Sequence, residues 1–313
     1  MGRAMATGDQ GLAERAIAMG FGLISPRAAL PRLEQTMLDA EPDLIVRDPA
    51  EFASMVLAER KGVPTVAAAG GLQSALSYFS RLVDEHVRRL RSEVGVEPRE
   101  ALLSDELVLT ATPPVFDVPG DPSIPVVRYR VPVPLTPLPA DEPPLVYATL
   151  GTAVMQEPGG AAVLEAILEA LSQLEVRAVV TTGVDVGHLD LPKLPDHVEL
   201  RRFVDHHQII PASRAVVTHG GAGTVQDALL MGRPMIVLPQ FADQFLNAER
   251  IEEVGVGTAL VGGDQTSDRI VNALGDVLAG KFDPVAQRIA ADAREMPSWA
   301  DVPRKLQALA RRH

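Results

Sequence analysis

The sequence predicts an α/β protein with two doubly wound parallel-sheet domains, the first incomplete at its N-terminus. Three observations carry this. Short apolar runs alternate with segments of helical spacing along most of the chain, the pattern of βαβ units. Several runs are apolar at almost every position, such as AVVT at 215–218 and MIVL at 235–238. Such runs suit a parallel sheet buried on both faces. Finally, a block holding eleven prolines between Pro113 and Pro144 divides the chain in two. That density excludes a helix or a central strand, because proline fixes φ and removes the backbone donor.

In the first part, Leu12–Met19 and Ala29–Ala40 have helical spacing, Asp43–Val46 reads as a strand and Ala50–Arg60 as a helix. Val63–Ala67 follows as a strand, Leu72–Arg91 as a long helix, and Leu107–Thr110 as a third strand. Ile124–Val127, inside the proline block, reads as a short strand. In the second part, strands are expected at Leu145–Leu150, Val176–Thr182, Val198–Phe203, Ala215–Thr218, Met235–Leu238 and Gly257–Val261. Helices are expected at Ala161–Leu174, Gly223–Met231 and Asp243–Glu253, with a helical tail from Ser267 to Arg312 broken near Pro284 and Pro297. The domains are therefore placed at 1–118 and 145–313, with a semi-extended linker at 119–144. The first part opens with a helix, whereas a doubly wound domain opens with a strand. Its first βαβ unit is expected to be absent from this sequence.

Composition limits the functional classes. The chain has 313 residues, 46% hydrophobic and 22% charged, as in an ordinary folded soluble protein. It has no cysteine, which excludes disulfides, thiolate catalysis and thiolate metal sites. The net charge of −12, without a long basic run, argues against nucleic acid as a partner. No apolar run reaches the ~18–20 residues of a membrane span, and the first ten residues lack the apolar core of a secretory signal. A cytoplasmic two-domain protein acting on small molecules, or a soluble partner of one, is expected.

The most informative stretch is 215–255, AVVTHGGAGTVQDALLMGRPMIVLPQFADQFLNAERIEEVG. A strand ends at Thr218-His219, small residues follow from Gly220 to Gly223, and a helix begins. Small residues there let a ligand approach bare backbone N–H groups, and the helix N-terminus favours an anion such as phosphate. A dinucleotide fingerprint is excluded, because Gln226 stands where its third glycine would be, and no P-loop motif occurs. No Lys or Arg lies between His219 and Gly232, so amides, His219 and Thr224 would hold a pyrophosphate.

The segment HGGAGTVQDALLMGRPMIVLPQFADQFLNAERI resembles the donor-binding motif of family 1 glycosyltransferases of GT-B fold. The similarity is greatest to actinobacterial enzymes that glycosylate macrolides, enediynes and related polyketides. LIVRDPAEFASMVLAERKGVPTV and LVYATLGT resemble them more weakly. The resemblance implies two Rossmann-like domains, with acceptor binding in the first and nucleotide-sugar donor binding in the second. It implies that His219 and the amides of Gly220, Gly221, Ala222 and Gly223 meet the nucleotide diphosphate, with Thr224 on a phosphate. Asp227 stands where the family often has a Glu for the ribose hydroxyls. Asp243 and Gln244 match the pair that holds sugar hydroxyls, and a carboxylate beside an amide suits a vicinal diol. Asp243 is equally placed to cap the helix that follows. Gly151 and Thr152 match a loop facing the pyrophosphate. Phe203 and Val204 match the first half of the family's Trp-Val-Pro-Gln base pocket, but Asp205 and His206 depart from the second half. Adjacent histidines at 206 and 207 point apart, so the cluster with Asp205 is a poor metal site.

Inverting sugar transfer needs a base for the acceptor hydroxyl. In the family it is a histidine oriented by an aspartate. Asp48 matches the aspartate. The histidine has no counterpart here, since His86, within the long helix, precedes the linker alone. Asp48-Pro49-Ala50-Glu51 also reads as a capping box with proline at the first helical position. The resemblance thus implies metal-independent, inverting transfer from a thymidine- or uridine-diphosphosugar to a hydrophobic polyketide-like acceptor, without a cofactor. An inactive donor-binding auxiliary subunit, paired with a full-length transferase, is the alternative. A sugar-nucleotide epimerase of the same fold is a third. Self-association and pairing with another glycosyltransferase chain both stay open.

Overall fold

Every paired strand runs parallel to its neighbour in the computed structural model, which describes residues 10–97, 103, 106–132, 143–157 and 159–311. The chain forms two units. Of the described residues, the first takes those within 10–112, 117–131 and 296–311, and the second those within 113–116 and 132–295.

The first unit begins with α1 (Gln10–Met19), a π-turn at Gly20–Ile24 and α2 (Ser25–Ala40). Two separate helices are expected here, but the π-turn joins them. It lies just ahead of Pro26, whose missing N–H falls harmlessly in the first turn of α2. Gly22 allows this bend to approach the long helix, since a Cβ there would come 2.9 Å from His86 Cβ. The elements β1 (Ile45–Arg47), α3 (Ala53–Lys61), β2 (Thr65–Ala69), α4 (Gln73–Glu93), β3 (Leu107–Thr110) and β4 (Val126–Arg128) follow. The sheet order is β1-β2-β3-β4, so the strands advance in one direction. Phe52, Val56, Ala67, Val83, Val87 and Val108 pack its core.

The second unit contains β5 (Leu145–Thr149), α5 (Gly160–Ser172), β6 (Arg177–Thr181), β7 (Val198–Arg201), α6 (His206–Ala212), β8 (Ala215–Thr218) and α7 (Ala222–Leu230). It continues with β9 (Met235–Val237), α8 (Gln244–Val254), β10 (Gly257–Ala259), α9 (Ser267–Leu278) and α10 (Asp283–Arg294). Its sheet order is β10-β9-β8-β5-β6-β7. The chain starts in the middle at β5, builds outward through β7, then returns to build the other side from β8. The order therefore reverses between β5 and β8, and open α/β sheets bind ligands outside the carboxyl ends of their strands at such a switch point. Both strands are buried at every position, which explains their unbroken apolar runs. Val146, Ala148, Leu164, Leu168, Val217, Ile236 and Leu274 share one core.

Both ends of the proline block belong to the second unit and its middle to the first. Residues 117–131 carry β4 and fold into the first sheet. Asp117 is buried there, pairs with Arg128 at 2.7 Å and accepts the Gln73 N–H that opens α4. The linker expected at 119–144 falls partly outside the described residues, at 133–142, as does the start of the chain, Met1–Asp9. The chain's end also differs from a single 145–313 domain. After α10 it passes a turn at Trp299–Asp301 into α11 (Val302–Ala310), which belongs to the first unit. Val302 is buried with Val66 and Leu109, and the Tyr129 and Trp299 rings lie 4.8 Å apart. Pro297 marks the change, its carbonyl accepting the Arg130 N–H at 2.7 Å.

Candidate functional site

The switch point is built from two matching strand ends. Thr149 closes β5 and Thr218 closes β8. Each hydroxyl accepts the N–H of the residue two further on, Gly151 and Gly220, at 3.2 Å in both cases. These bonds turn the chain sharply at the sheet's carboxyl edge. Gly151 and Gly220 adopt φ of +66° and +88°, where a side chain would be strained. The loop after β6 closes against the first of these turns through Gly183, whose Cβ would come 2.8 Å from Thr152 Cα.

His219 lies between the two turns. A Cβ on Gly151 would come 2.7 Å from its ring, and one on Gly221 would come 2.5 Å from Nε2. The imidazole is thus seated between two glycines, and both must lack a side chain for it to fit. Its Nδ1 is buried without an ordinary hydrogen bond among the described residues, beside the Thr149 carbonyl. Burial is the main reason its pKa falls below the usual histidine range, partly offset by that carbonyl, with His206 adding a smaller repulsion. The ring is neutral at neutral pH. Gly221 is the N-cap of α7 and no side chain caps this helix. Ala222, Gly223 and Thr224 form its first turn, with Thr224 buried.

On the other side, a Cβ on Gly220 would come 2.8 Å from Val237 and 3.1 Å from the Gln244 carbonyl, so α8 starts against this turn. Asp243 stands at the N-cap of α8 but makes no capping bond, unlike the capping role its position allows. Instead Asn247, one turn on, donates to Asp243 Oδ2 at 3.3 Å and to the Gly220 carbonyl at 2.9 Å. Burial raises the Asp243 pKa, opposed by hydrogen bonds from its own backbone and Asn247. Gln244 is buried, and its Oε1 accepts the N–H groups of Gln240 and Phe241 at 2.8 and 3.1 Å. That staple holds the loop before α8, in which Ala242 takes a φ of +57°. A left-handed non-glycine residue stores strain of the kind found at functional sites.

Asp227 is not a fully solvated helix-face carboxylate, since His206 Nδ1 lies 3.8 Å from its Oδ2. The His206 ring meets Tyr147 edge-on at 5.6 Å, and the Tyr147 hydroxyl bonds Thr181 Oγ1 at 3.0 Å. The departure at Asp205 has a local reason. Asp205 is the N-cap of α6 and accepts the His207 N–H at 2.9 Å. β7 ends at Arg201, ahead of that short helix, so Phe203 lies beyond the strand, 73% exposed, with Val204 half-buried beside it. Buried Arg233 holds the other end of α6 by donating to the Ile210 and Pro211 carbonyls, and its pKa is pushed down to about 10 by burial.

The second unit therefore gathers Gly151, Thr152, His219, Gly220, Gly221, Thr224, Asp243 and Gln244 at one sheet edge, with Asp227 and His206 on the adjoining helices. Asn247, Gly183 and Arg233 are the positioning residues that sequence patterns do not single out. Asn247 alone carries a local signal, its i+4 spacing from Asp243.

In the first unit, Asp48 follows β1 and is exposed. The expected capping box does not form, because the helix starts at Ala53 rather than Ala50. Asp48 Oδ1 accepts the Ala50 N–H at 2.8 Å within a turn, while Glu51 caps α3 by accepting the Ala53 N–H at 2.8 Å. Proline at 49 favours that turn. Arg47 is buried, pairs with Glu106 at 2.5 Å and donates to the Asp48, Pro49 and Glu51 carbonyls, which fixes the turn.

The family profile described as "Erythromycin biosynthesis protein CIII-like, C-terminal domain" matches residues 165–309. A 10-deoxymethynolide desosaminyltransferase of Streptomyces venezuelae is 28% identical over 300 residues, covering 87% of this chain and 69% of that protein. An L-demethylnoviosyl transferase of Streptomyces niveus is 30% identical over 296 residues, covering 86% and 76%. Among solved structures, the spinosyn rhamnosyltransferase SpnG superposes with a TM-score of 0.81 at 23% identity, covering 98% of this chain and 84% of that one. The glycosyltransferase VinC, in complex with dTDP, gives 0.78 at 23% identity, covering 96% and 80%. The fold is that of the GT-B glycosyltransferases, and by its similarity along most of its length the chain belongs to the family of natural-product glycosyltransferases from Streptomyces and their relatives.

Proposed function

We propose that the protein moves a sugar from a thymidine- or uridine-diphosphosugar to a hydroxyl of a hydrophobic natural product, with inversion and without a metal. The observation that carries this is the seat of His219. A neutral imidazole held between Gly151 and Gly221, beside a helix N-terminus at the switch point whose N-cap makes no side-chain bond, offers hydrogen-bond donors. That arrangement suits a diphosphate, which gains hydrogen bonds and the helix dipole. VinC, of the same fold, is described with dTDP, and SpnG with thymidine diphosphate and separately with spinosyn aglycone.

In this reading the amides from Gly220 to Gly223, with His219 and Thr224, hold the diphosphate, and Gly151 and Thr152 face it. Asp227 meets a ribose hydroxyl, and Phe203 and Val204 the base. Asp243 and the Gln244 amide meet the sugar. The acceptor oxygen bonds to the anomeric carbon as the nucleoside diphosphate leaves, and its proton is given up to a base; Asp48 matches the aspartate that orients the family's histidine base, which itself has no counterpart in this sequence. The protein works in the cytoplasm.

A second reading, a donor-binding auxiliary paired with another transferase chain, has one observation in its favour. The outer edge of β1 has no partner strand among the described residues, and Val46 on it is half exposed. Such edges invite pairing. The experiment is a transfer assay with thymidine- and uridine-diphosphosugars and a panel of polyketide aglycones, with the chain alone and with a full-length transferase added. Turnover by the chain alone that falls with Asp48→Asn supports the enzyme. Donor binding without turnover, together with a gain in the added transferase's rate, supports the auxiliary.

A further inference from the structure

We propose that Gln265, which lies outside the donor motif, is a positioning residue for the donor's sugar: through Gln240 it holds the loop after β9, so that the Gln244 amide presents its NH2 group to the ligand. The inference rests on the donor-site reading above and deepens it.

The need for such a residue is set by Pro239. Strands β9 and β10 pair in parallel from Met235 with Gly257 to Val237 with Ala259. In this register the Met235 N–H bonds the Val256 carbonyl, and the Leu260 N–H bonds the Val237 carbonyl at 2.8 Å. Continuing the ladder would take the N–H of residue 239 to the Leu260 carbonyl. Proline has no N–H, so the ladder stops and the strand-end carbonyls need other donors. Gln265 Nε2 supplies them, donating to the Leu260 carbonyl at 3.0 Å and to the Pro239 carbonyl at 3.1 Å.

The remaining polar atom of that side chain carries the restraint onward. Gln265 Oε1 accepts from Gln240 Nε2 at 2.8 Å, and Gln240 Nε2 also donates to the Leu238 carbonyl at 2.9 Å. With its side chain held, Gln240 directs its backbone N–H onto Gln244 Oε1 at 2.8 Å, beside the Phe241 N–H at 3.1 Å. Two donors on Oε1 fix which way round the Gln244 amide sits. Its NH2 group is what it can offer a ligand, so a sugar hydroxyl there must accept, while the neighbouring Asp243 carboxylate accepts in turn.

Gln265 itself is firmly placed. A 3-10 turn at Gly262–Asp264 precedes it. Thr266 follows as the N-cap of α9, accepting the Arg269 N–H at 3.4 Å, and α9 buries Ile270, Leu274 and Val277. The loop it restrains needs the support, because Ala242 holds a left-handed φ of +57° immediately before Asp243. Gln265 thus acts on the loop, and Gln244 on the ligand.

The test compares dTDP with dTDP-glucose, so that the ratio of their dissociation constants isolates what the sugar contributes. Gln265→Met keeps the length of the side chain and removes its amide. It should shift the ratio about two- to tenfold against dTDP-glucose, the effect of one weakened hydrogen bond, with the Kd for dTDP within about twofold of the wild type. Gln240→Met keeps the backbone N–H on Gln244 but removes the bridge to Gln265, and should shift the ratio in the same direction. Because both variants break one shared bond, the double variant should lose less than the product of the two single losses. If Gln265→Met weakens both ligands alike, it is a structural residue alone and the inference is overturned. If Gln265→Met fails to fold, Gln240→Met decides, and an unmoved ratio there overturns the inference. If Gln244→Ala shifts the ratio and neither methionine variant does, the inference is overturned and the donor site stands. If dTDP does not bind, or His219→Ala leaves its affinity unchanged, the donor-site reading fails and this inference with it.

Discussion

Three glycines of one site should respond in three different ways to the same added methyl group. At Gly221 the backbone is ordinary, with φ −62°, but the new Cβ would lie 2.5 Å from His219 Nε2. That is about 1 Å inside a normal contact of ~3.5 Å. The ring cannot simply retreat, because Gly151 closes its other side. Overpacking of this kind costs roughly 1–3 kcal/mol. At Gly151 the Cβ would meet the same ring at 2.7 Å, and φ of +66° adds a left-handed penalty of about 1–2 kcal/mol. At Gly223 nothing lies within 4 Å of a Cβ, and the residue is in the first turn of a helix. Alanine there should be neutral or stabilise by up to about 1 kcal/mol. For a unit of this size each kcal/mol moves Tm by roughly 2–4 °C. Gly221→Ala should then lower Tm by roughly 2–12 °C, Gly151→Ala by more, and Gly223→Ala should hold or raise it. Thermal unfolding with and without thymidine diphosphate measures both packing and function. The first two variants should also lose protection by the nucleotide, since their imidazole is displaced. If Gly221→Ala melts with the wild type and keeps full protection, His219 is not seated as described. If all three shift alike, local crowding is not what sets their stability.

Protection by a nucleoside diphosphate follows RT ln(1 + [L]/Kd), and His219→Ala should reduce it for the diphosphate more than for the nucleoside; equal protection of variant and wild type would remove His219 from the site. Because burial depresses the His219 pKa, the unfolded chain binds the proton more readily, so this residue's contribution to stability is full above about pH 6.5 and declines as pH falls below it. A diphosphate bound beside the ring should oppose that depression, and calorimetry in buffers of different ionisation enthalpy should then show proton uptake on binding that shrinks in His219→Ala. Gln244→Ala frees two backbone N–H groups from their staple and should cost about 1–3 kcal/mol of stability, with a further loss of about 0.5–1.5 kcal/mol for sugar nucleotide over bare diphosphate. An identical loss for both ligands would make Gln244 a loop staple alone. Burial raises the Asp243 pKa, so stability linked to it is present at low pH and lost as pH rises through the raised value. Asp243→Asn should therefore raise the Tm of the ligand-free protein at pH 7, the gain vanishing below about pH 4; no gain at pH 7 would show that the carboxylate is adequately solvated.

What the sequence shows of this fold depends on whether a local pattern has one structural solution. AVVT and MIVL are apolar at every position because β8 and β9 lie inside a sheet covered on both faces, and no exposed segment would keep that pattern. The Thr218–Thr224 turn was legible for the same reason, since a strand, two glycines and a helix start leave the chain little choice. The proline block was less legible. Proline density excludes regular internal structure but does not exclude an edge strand, and β4 at Val126–Arg128 is the edge of its sheet. Helix starts shifted where a capping residue had a competing turn. Asp48 and Glu51 both look like caps in one dimension, and only the buried Arg47, drawing three carbonyls of that turn onto one guanidinium, places the helix at Ala53.

The site divides along the same line. Residues whose position follows from their own neighbours could be placed by reading the chain: Gly220 and Gly221 after a strand, Asp243 and Gln244 before a helix. Residues whose importance lies in a partner distant in sequence could not. Nothing near Gly151 indicates that it must clear space for a ring 68 residues later, and nothing near Arg233 indicates that it anchors the helix carrying His206. Asn247 is intermediate: its spacing from Asp243 is visible, but its bond to the Gly220 carbonyl, which ties the start of α8 to the turn after β8, is not. The uneven legibility has a physical cause. Turn geometry and helix starts are decided by a few consecutive residues, whereas the seat of His219 is decided by where two strands from different halves of a doubly wound sheet happen to end. The switch point is a property of strand order, and strand order is set by packing of the whole unit.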